Sequence, residues 1–137
     1  MWSCRLIDFK KGVTNNDLKV GDMFFINPDE WLEDGHYKWP AYYASPERLS
    51  PFYRAYNQDR LPILVVLPSR VLWCVDSMCV NSSNRYGRWL VIGKAPNISV
   101  YPSINVEGHY HGFLTNGMIG NDVEGRKYSD TGEVVYA

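Results

Sequence analysis

The clearest pattern of apolar and polar positions lies in "ISVYPSINV", residues 98–106. Successive residues of a β-strand point to opposite faces, so this alternation predicts a half-buried strand. The apolar face holds Ile98, Val100, Ile104 and Val106, and the polar face holds Ser99, Tyr101, Ser103 and Asn105. Pro102 cannot donate to a strand ladder, which places this strand at a sheet edge or at a bulge.

Continuous apolar runs before this strand predict further β-structure. "PILVVL" (62–67) has the composition of a strand buried on both faces, and "VLWCVD" (71–76) follows it across a turn at Pro68-Ser69. The two runs therefore predict a hairpin. "RWLVIG" (88–93) predicts a third core strand.

Turn chemistry after residue 109 predicts a second hairpin. Asn116-Gly117 separates two short apolar segments, and both residues tolerate the positive φ of a type I′ turn. Further turns are expected at Glu124-Gly125 and Thr131-Gly132, before a last strand at 133–136.

The first 60 residues are less regular. Residues 2–9 and 23–26 resemble strands, whereas residues 27–43 lack periodicity and predict a long aromatic loop. Ser50 as a cap and Pro51 at the first helical position predict a short helix from Ser50.

Together these elements predict a mainly β fold with a minor α+β character. We expect a compact antiparallel sheet, sandwich or barrel-like domain with one short helix and a long aromatic loop. The 137 residues suit a single globular domain over 1–137, which would bury roughly two-thirds of the surface of its unfolded chain.

Charge and cysteine content narrow the classes of partner. Fourteen Lys and Arg balance fifteen Asp and Glu, so no nucleic acid is expected as a partner. The longest apolar run, 63–67, is too short for a membrane span. Three cysteines without a recognisable leader indicate free thiols in a reducing compartment, the host cytoplasm.

Two histidines raise the question of a metal site. His109 and His111 lie two apart and would share one face of a strand, from which both imidazoles can reach one ion. A zinc or iron site needs a third ligand, for which Asp76 is the first candidate and His36, Cys74 and Cys79 are alternatives. The simpler interpretation is a strand end without a cofactor, and a Cys-His nucleophile has no supporting motif.

Two groups of residues are candidates for binding. Ser103, Asn105 and Tyr110 form or adjoin a polar strand face. The aromatic segment and its continuation contribute Trp31, Trp39, Tyr42, Tyr43 and Tyr53. Tyr and Trp give large contact areas at low entropic cost, although packing in the core is their commoner role.

Four segments resemble one family. They are "VGDMFF" (20–25), "RLPILVVLPSRVLWCVD" (60–76), "GRWLVIGKAPNISVYPSIN" (87–105) and "YHGFLTNGMIGNDVEGRKY" (110–128). The chain is thereby similar to the uncharacterised phage and prophage family DUF6527, in a short form without that family's cysteine-rich segment. The resemblance implies a phage origin and an accessory role in infection, and it implies no activity.

Two functions are compatible with these features. One is a non-enzymatic binding module that contacts a host or phage protein in host takeover or against host defence. The alternative is a small metal-dependent hydrolase or nuclease that uses His109 and His111. The strand that contains Pro102 is also compatible with a homo-oligomer.

Overall fold

A computed structural model describes residues 1–8, 17–25, 60–77 and 89–135, and the backbone of 79–80 and 86–87. Its strands are β1 (Trp2–Ser3), β2 (Arg5–Leu6), β3 (Asp22–Phe25), β4 (Ile63–Val66), β5 (Leu72–Cys74), β6 (Cys79–Val80), β7 (Tyr86–Gly87), β8 (Leu90–Ile92), β9 (Ser99–Val106), β10 (Tyr110–Thr115), β11 (Met118–Ile119), β12 (Lys127–Tyr128) and β13 (Val134–Val135). The mainly β class is confirmed.

The described strands form two larger sheets and two small ones. One sheet has the order β1-β11-β10-β9-β8 and the other has the order β2-β3-β4-β5. All pairings are antiparallel except β2 with β3. The small sheets are the hairpins β6-β7 and β12-β13.

The hairpin predicted from the two apolar runs is confirmed by the pairing of β4 with β5. Leu64 lies opposite Cys74 and Val65 lies opposite Trp73. All residues of both strands are buried, as expected for runs that lack polar alternation.

The Asn116-Gly117 hairpin is also confirmed. Both residues have positive φ, 46° and 74°, and Thr115 pairs with Met118 across the two-residue loop. These are the features of a type I′ turn, whose twist matches that of the strands it joins.

The position of Pro102 shows how β9 accommodates a proline inside a sheet. β9 lies between β8 and β10, and its register with β10 shifts, because Ile104 faces Gly112 whereas Val100 faces Leu114. Residues 101–103 therefore lie opposite Phe113 alone. Of the two predicted alternatives, the bulge is the one observed.

The third predicted strand is present as β8, but its prediction as a core strand is wrong. β8 is the last strand of its sheet among the described strands, and Leu90 and Ile92 are 48% and 54% exposed. Val91 and the preceding Trp89 pack against the core, as expected for a strand covered on one face.

The core lies between the two larger sheets. From the four-stranded side and the segments that follow it come Met23, Ile63, Val65, Leu67, Trp73 and Val75, and from the other side come Ile98, Val100, Ile104, Tyr110, Leu114 and Ile119. Trp73 and Trp89 meet edge to face, with ring centroids 5.0 Å apart. Cys4 connects the sheets, since β1 belongs to one and β2 to the other.

Two predicted elements, the aromatic loop at 27–43 and the helix from Ser50, lie outside the described residues. Within the part of the chain that the structure describes, no helix is long and apolar enough to cross a membrane.

Candidate functional site

The outer face of the five-stranded sheet carries the predicted polar positions. Ser103 and Asn105 project from β9, and His111 projects from β10, where it lies opposite Asn105. On β10 the residues that flank His111, Tyr110 and Gly112, are buried in the opposite face. The alternation read from the sequence therefore places these polar side chains together.

Three of the side chains on this face form a continuous hydrogen-bonded chain. The Ser103 Oγ lies 3.1 Å from the His111 Nε2, and the His111 Nδ1 lies 3.2 Å from the Glu124 Oε2. The His111 side chain is 28% exposed and that of Glu124 is 51% exposed. The imidazole at the centre of this hydrogen-bonded series is thus accessible to solvent.

The direction of these hydrogen bonds follows from the chemistry of the groups. A carboxylate only accepts, so the proton in the bond to Glu124 belongs to the His111 Nδ1. In the neutral imidazole the Nε2 then has a free electron pair and accepts from the Ser103 hydroxyl. Glu124 thereby selects the tautomer in which His111 can act as a base toward Ser103.

Asp122 holds the backbone of both His111 and Glu124 in place. Its carboxylate accepts the backbone N–H of His111 at 2.9 Å and that of Glu124 at 2.7 Å. It also accepts the Arg126 guanidinium at 3.0 Å and the Tyr128 hydroxyl at 2.9 Å. The same Arg126 nitrogen lies 3.3 Å from the Glu124 carboxylate, so Arg126 joins the two acids.

The pKa of Asp122 reflects these donors. Burial of the carboxyl favours its neutral form, but hydrogen bonds from the His111 N–H, Arg126, Tyr128 and the Glu124 N–H outweigh burial and lower the pKa from 3.8 to about 2. Burial and the bond to Asp122 raise the pKa of Tyr128. Asp122 is therefore a permanent anion at neutral pH.

The predicted metal ligands do not converge. His109 is exposed in the turn before β10, and its carbonyl oxygen lies close to the Tyr128 hydroxyl oxygen. His111 is bonded to Ser103 and Glu124. Among the described residues, which include His109, His111 and Asp76, no group of three or more His, Cys, Asp or Glu is arranged to hold a metal ion.

Asp76 has a different environment, at the end of β5 in the four-stranded sheet. It forms a bidentate ion pair with Arg60, with N···O distances of 2.8 and 2.9 Å, and it accepts the backbone N–H of Ile63 at 3.1 Å. These bonds tie the segment after β5 to the start of β4 and give Asp76 a structural role.

Tyr110, predicted as a binding residue, lies in the core. Its ring is fully buried, and its hydroxyl donates to the Gly120 carbonyl at 2.7 Å. Burial raises the pKa of Tyr110. The other aromatic candidates, Trp31, Trp39, Tyr42, Tyr43 and Tyr53, lie outside the described residues.

Exposed apolar side chains continue the outer face beyond Ser103 and His111. Leu90 pairs with Tyr101 across β8 and β9, Ile92 follows Leu90 on the same face, and Phe113 lies opposite the bulge at Pro102. All four are large and exposed. We call Leu90, Ile92, Tyr101 and Phe113 the apolar outer patch.

Sequence reasoning missed Asp122, Glu124, Arg126 and Tyr128. One signal was present, because Asp122 and Gly125 are first and fourth in "DVEG", the arrangement typical of a type I turn with an Asp side chain bonded two residues on. That pattern indicates a turn, but not that the turn contacts β10.

Comparisons of the chain with protein-family models, curated proteins and solved structures found no match.

Proposed function

We propose that the protein is a binding module that engages a host or phage protein through the apolar outer patch and the neighbouring edge of β8. The observation that carries the proposal is the cluster of four exposed large apolar side chains on one sheet face. Contiguous exposed apolar surface is uncommon on isolated soluble proteins and is typical of interaction sites.

The arrangement of β8 indicates the form of the partner. β8 pairs with β9 on one side, and no described strand pairs with it on the other side. Leu90 and Ile92 alternate with Val91, so their side chains project outward while the backbone is able to continue the ladder. An extended partner segment with apolar residues at alternate positions fits this edge.

Charge and family resemblance are consistent with a protein partner. The net charge of −1 provides no electrostatic attraction to phosphate backbones. The resemblance to phage proteins suggests that the partner is encountered in an infected cell. The aromatic segment at 27–43 remains a proposed second part of the contact surface.

Affinity purification of the tagged protein from infected cells tests the proposal, with the wild type compared with Leu90→Lys, Ile92→Lys and Val135→Lys. Leu90→Lys places a charge within the patch, whereas Val135→Lys places one at a similarly exposed position on β13, since these residues are 48% and 47% exposed. We expect the partner to be recovered by the wild type and by Val135→Lys but not by Leu90→Lys. With the purified partner, Leu90→Lys should bind at least about tenfold more weakly.

The proposal fails if Leu90→Lys and Ile92→Lys retain every partner at wild-type affinity, or if no partner is recovered by the wild type. Circular dichroism of each variant separates lost binding from lost folding.

A further inference from the structure

We propose that Ser103, His111 and Glu124 form a nucleophilic triad that cleaves carboxylic esters. The inference is independent of the binding proposal, since it needs neither the edge of β8 nor a protein partner. It rests on the linear order hydroxyl, imidazole, carboxylate, with distances of 3.1 and 3.2 Å. A nucleophile within hydrogen-bond reach of a base that a third group orients is the general signature of covalent catalysis.

The roles follow from the tautomer that Glu124 imposes. The His111 Nε2 accepts the proton of the Ser103 hydroxyl, and Glu124 stabilises the imidazolium that then forms. Ser103 and His111 are the catalytic residues. Glu124 is a positioning residue, and Asp122 positions both by holding the backbone N–H groups of His111 and Glu124.

The surroundings of Ser103 suggest how a substrate lies. Tyr101 and Asn105 are two residues before and after Ser103 on the same face of β9, and Phe113 is two residues after His111 on β10. The apolar side is able to receive a hydrocarbon group. On the other side, the Asn105 amide supplies a neutral N–H donor for the oxyanion that develops on the carbonyl oxygen.

The reaction proceeds in two balanced steps. The Ser103 oxygen bonds to the ester carbonyl carbon while its proton passes to His111, and the bond from that carbon to the alcohol oxygen then breaks, so that the alcohol leaves with that proton. Water next gives a proton to His111 and attacks the acyl group on Ser103. The carboxylic acid leaves, and the proton returns to Ser103.

Labelling of the purified full-length chain with a biotinylated fluorophosphonate tests the nucleophile directly. We expect modification of the peptide that contains Ser103, located by mass spectrometry, and release of p-nitrophenol from p-nitrophenyl butyrate. His111→Gln retains a polar side chain but no base, so both rates should fall at least about 100-fold. Glu124→Gln should lower the labelling rate about tenfold, and it should lower kcat for the ester with little change in KM.

Ser99→Ala is the matched control. Ser99 lies on the same strand and face, and its hydroxyl accepts the Asn116 N–H rather than contacting a histidine. We expect wild-type labelling and hydrolysis from this variant. Ser103→Ala should abolish both, and Ser103→Cys, which retains a nucleophile, should gain labelling by iodoacetamide at position 103, at a rate that depends on His111.

Three results would each overturn the proposal. They are the absence of label on Ser103 in the folded wild type, equal labelling rates in the wild type and His111→Gln, and ester hydrolysis that survives Ser103→Ala. The first of these results is measured in the wild type alone, so it does not depend on whether any variant folds.

Discussion

The Tyr110 ring occupies the space that a side chain on Gly112 would need. A Cβ built on Gly112 would lie 2.5 Å from the Tyr110 Cζ and closer still to its hydroxyl oxygen. Both residues face the core from β10, and the hydroxyl is bonded to the Gly120 carbonyl, so a displaced ring would lose that hydrogen bond. Glycine at 112 is therefore required by the tyrosine two residues before it.

Gly112→Ala should lower the free energy of unfolding by roughly 1–3 kcal/mol, because the extra methyl group displaces a buried ring. Gly120→Ala is the control, since its Cβ would meet only the Phe113 carbonyl oxygen, at 3.4 Å. Chemical denaturation of both variants measures the difference. Equal stability of the two would contradict the steric relationship.

Stability at low pH should depend on Asp122. Its pKa is lowered from 3.8 to about 2 in the folded protein, so the ionised carboxylate stabilises the fold fully above about pH 4, and this contribution is lost as the pH falls from 4 towards 2. Asp122→Asn should be less stable by on the order of 3 kcal/mol at pH 7, because Arg126 loses a buried ionic partner.

Urea unfolding between pH 2 and 7 measures this dependence. The difference between the wild type and Asp122→Asn should shrink between pH 4 and pH 2, whereas Glu107→Gln, which changes an exposed carboxylate, should follow the wild type throughout. A difference that does not change with pH would refute the role assigned to the Asp122 charge.

Two cysteines should resist alkylation in the native protein. Burial and the neighbouring charge of Asp22 raise the pKa of Cys4 to about 11, and burial and Asp76 raise the pKa of Cys74. Since only the thiolate reacts, iodoacetamide at pH 8 should modify both residues slowly in buffer and quickly in guanidinium chloride. Peptide mass spectrometry measures each site, and rapid native modification of Cys74 would contradict its burial.

Asp76→Ala should lower the free energy of unfolding by roughly 3–5 kcal/mol, because it leaves the largely buried Arg60 guanidinium and the Ile63 N–H without the carboxylate that they bind. Asp130→Ala, at an exposed turn position, is the control. Thermal unfolding should give the same values with and without EDTA for all three proteins. A loss of wild-type stability in EDTA that Asp76→Ala does not show would instead support Asp76 as a metal ligand.

Local patterns predicted the elements that local forces determine. Asn116-Gly117 indicated its turn because both residues tolerate positive φ. Pro102 indicated a sheet edge or a bulge because it lacks an N–H, and the bulge is observed. The runs at 62–67 and 71–76 indicated a hairpin because continuous apolar character requires burial on both faces.

Local patterns predicted the part of the candidate site that lies on strands and missed the part that lies on the turn after β11. His111, Ser103 and Asn105 share a face through strand alternation, which can be read from the sequence. Asp122, Glu124 and Arg126 reach that face through a turn whose docking depends on one buried carboxylate accepting the His111 N–H. The exposure of Leu90 and Ile92 likewise depends on the position of β8 at the end of a sheet, which its own composition does not specify.

β1 and β2 belong to different sheets, and their partner strands are synthesised at very different times. Ser3 pairs with Met118, and the Cys4 N–H donates to the Gly117 carbonyl, whereas Arg5 and Leu6 pair with Asp22 and Met23. Both strands of the parallel pair lie within residues 1–25. β1 can pair only after β11 has been synthesised, more than a hundred residues later. The first strand of the chain is therefore among the last to join its sheet.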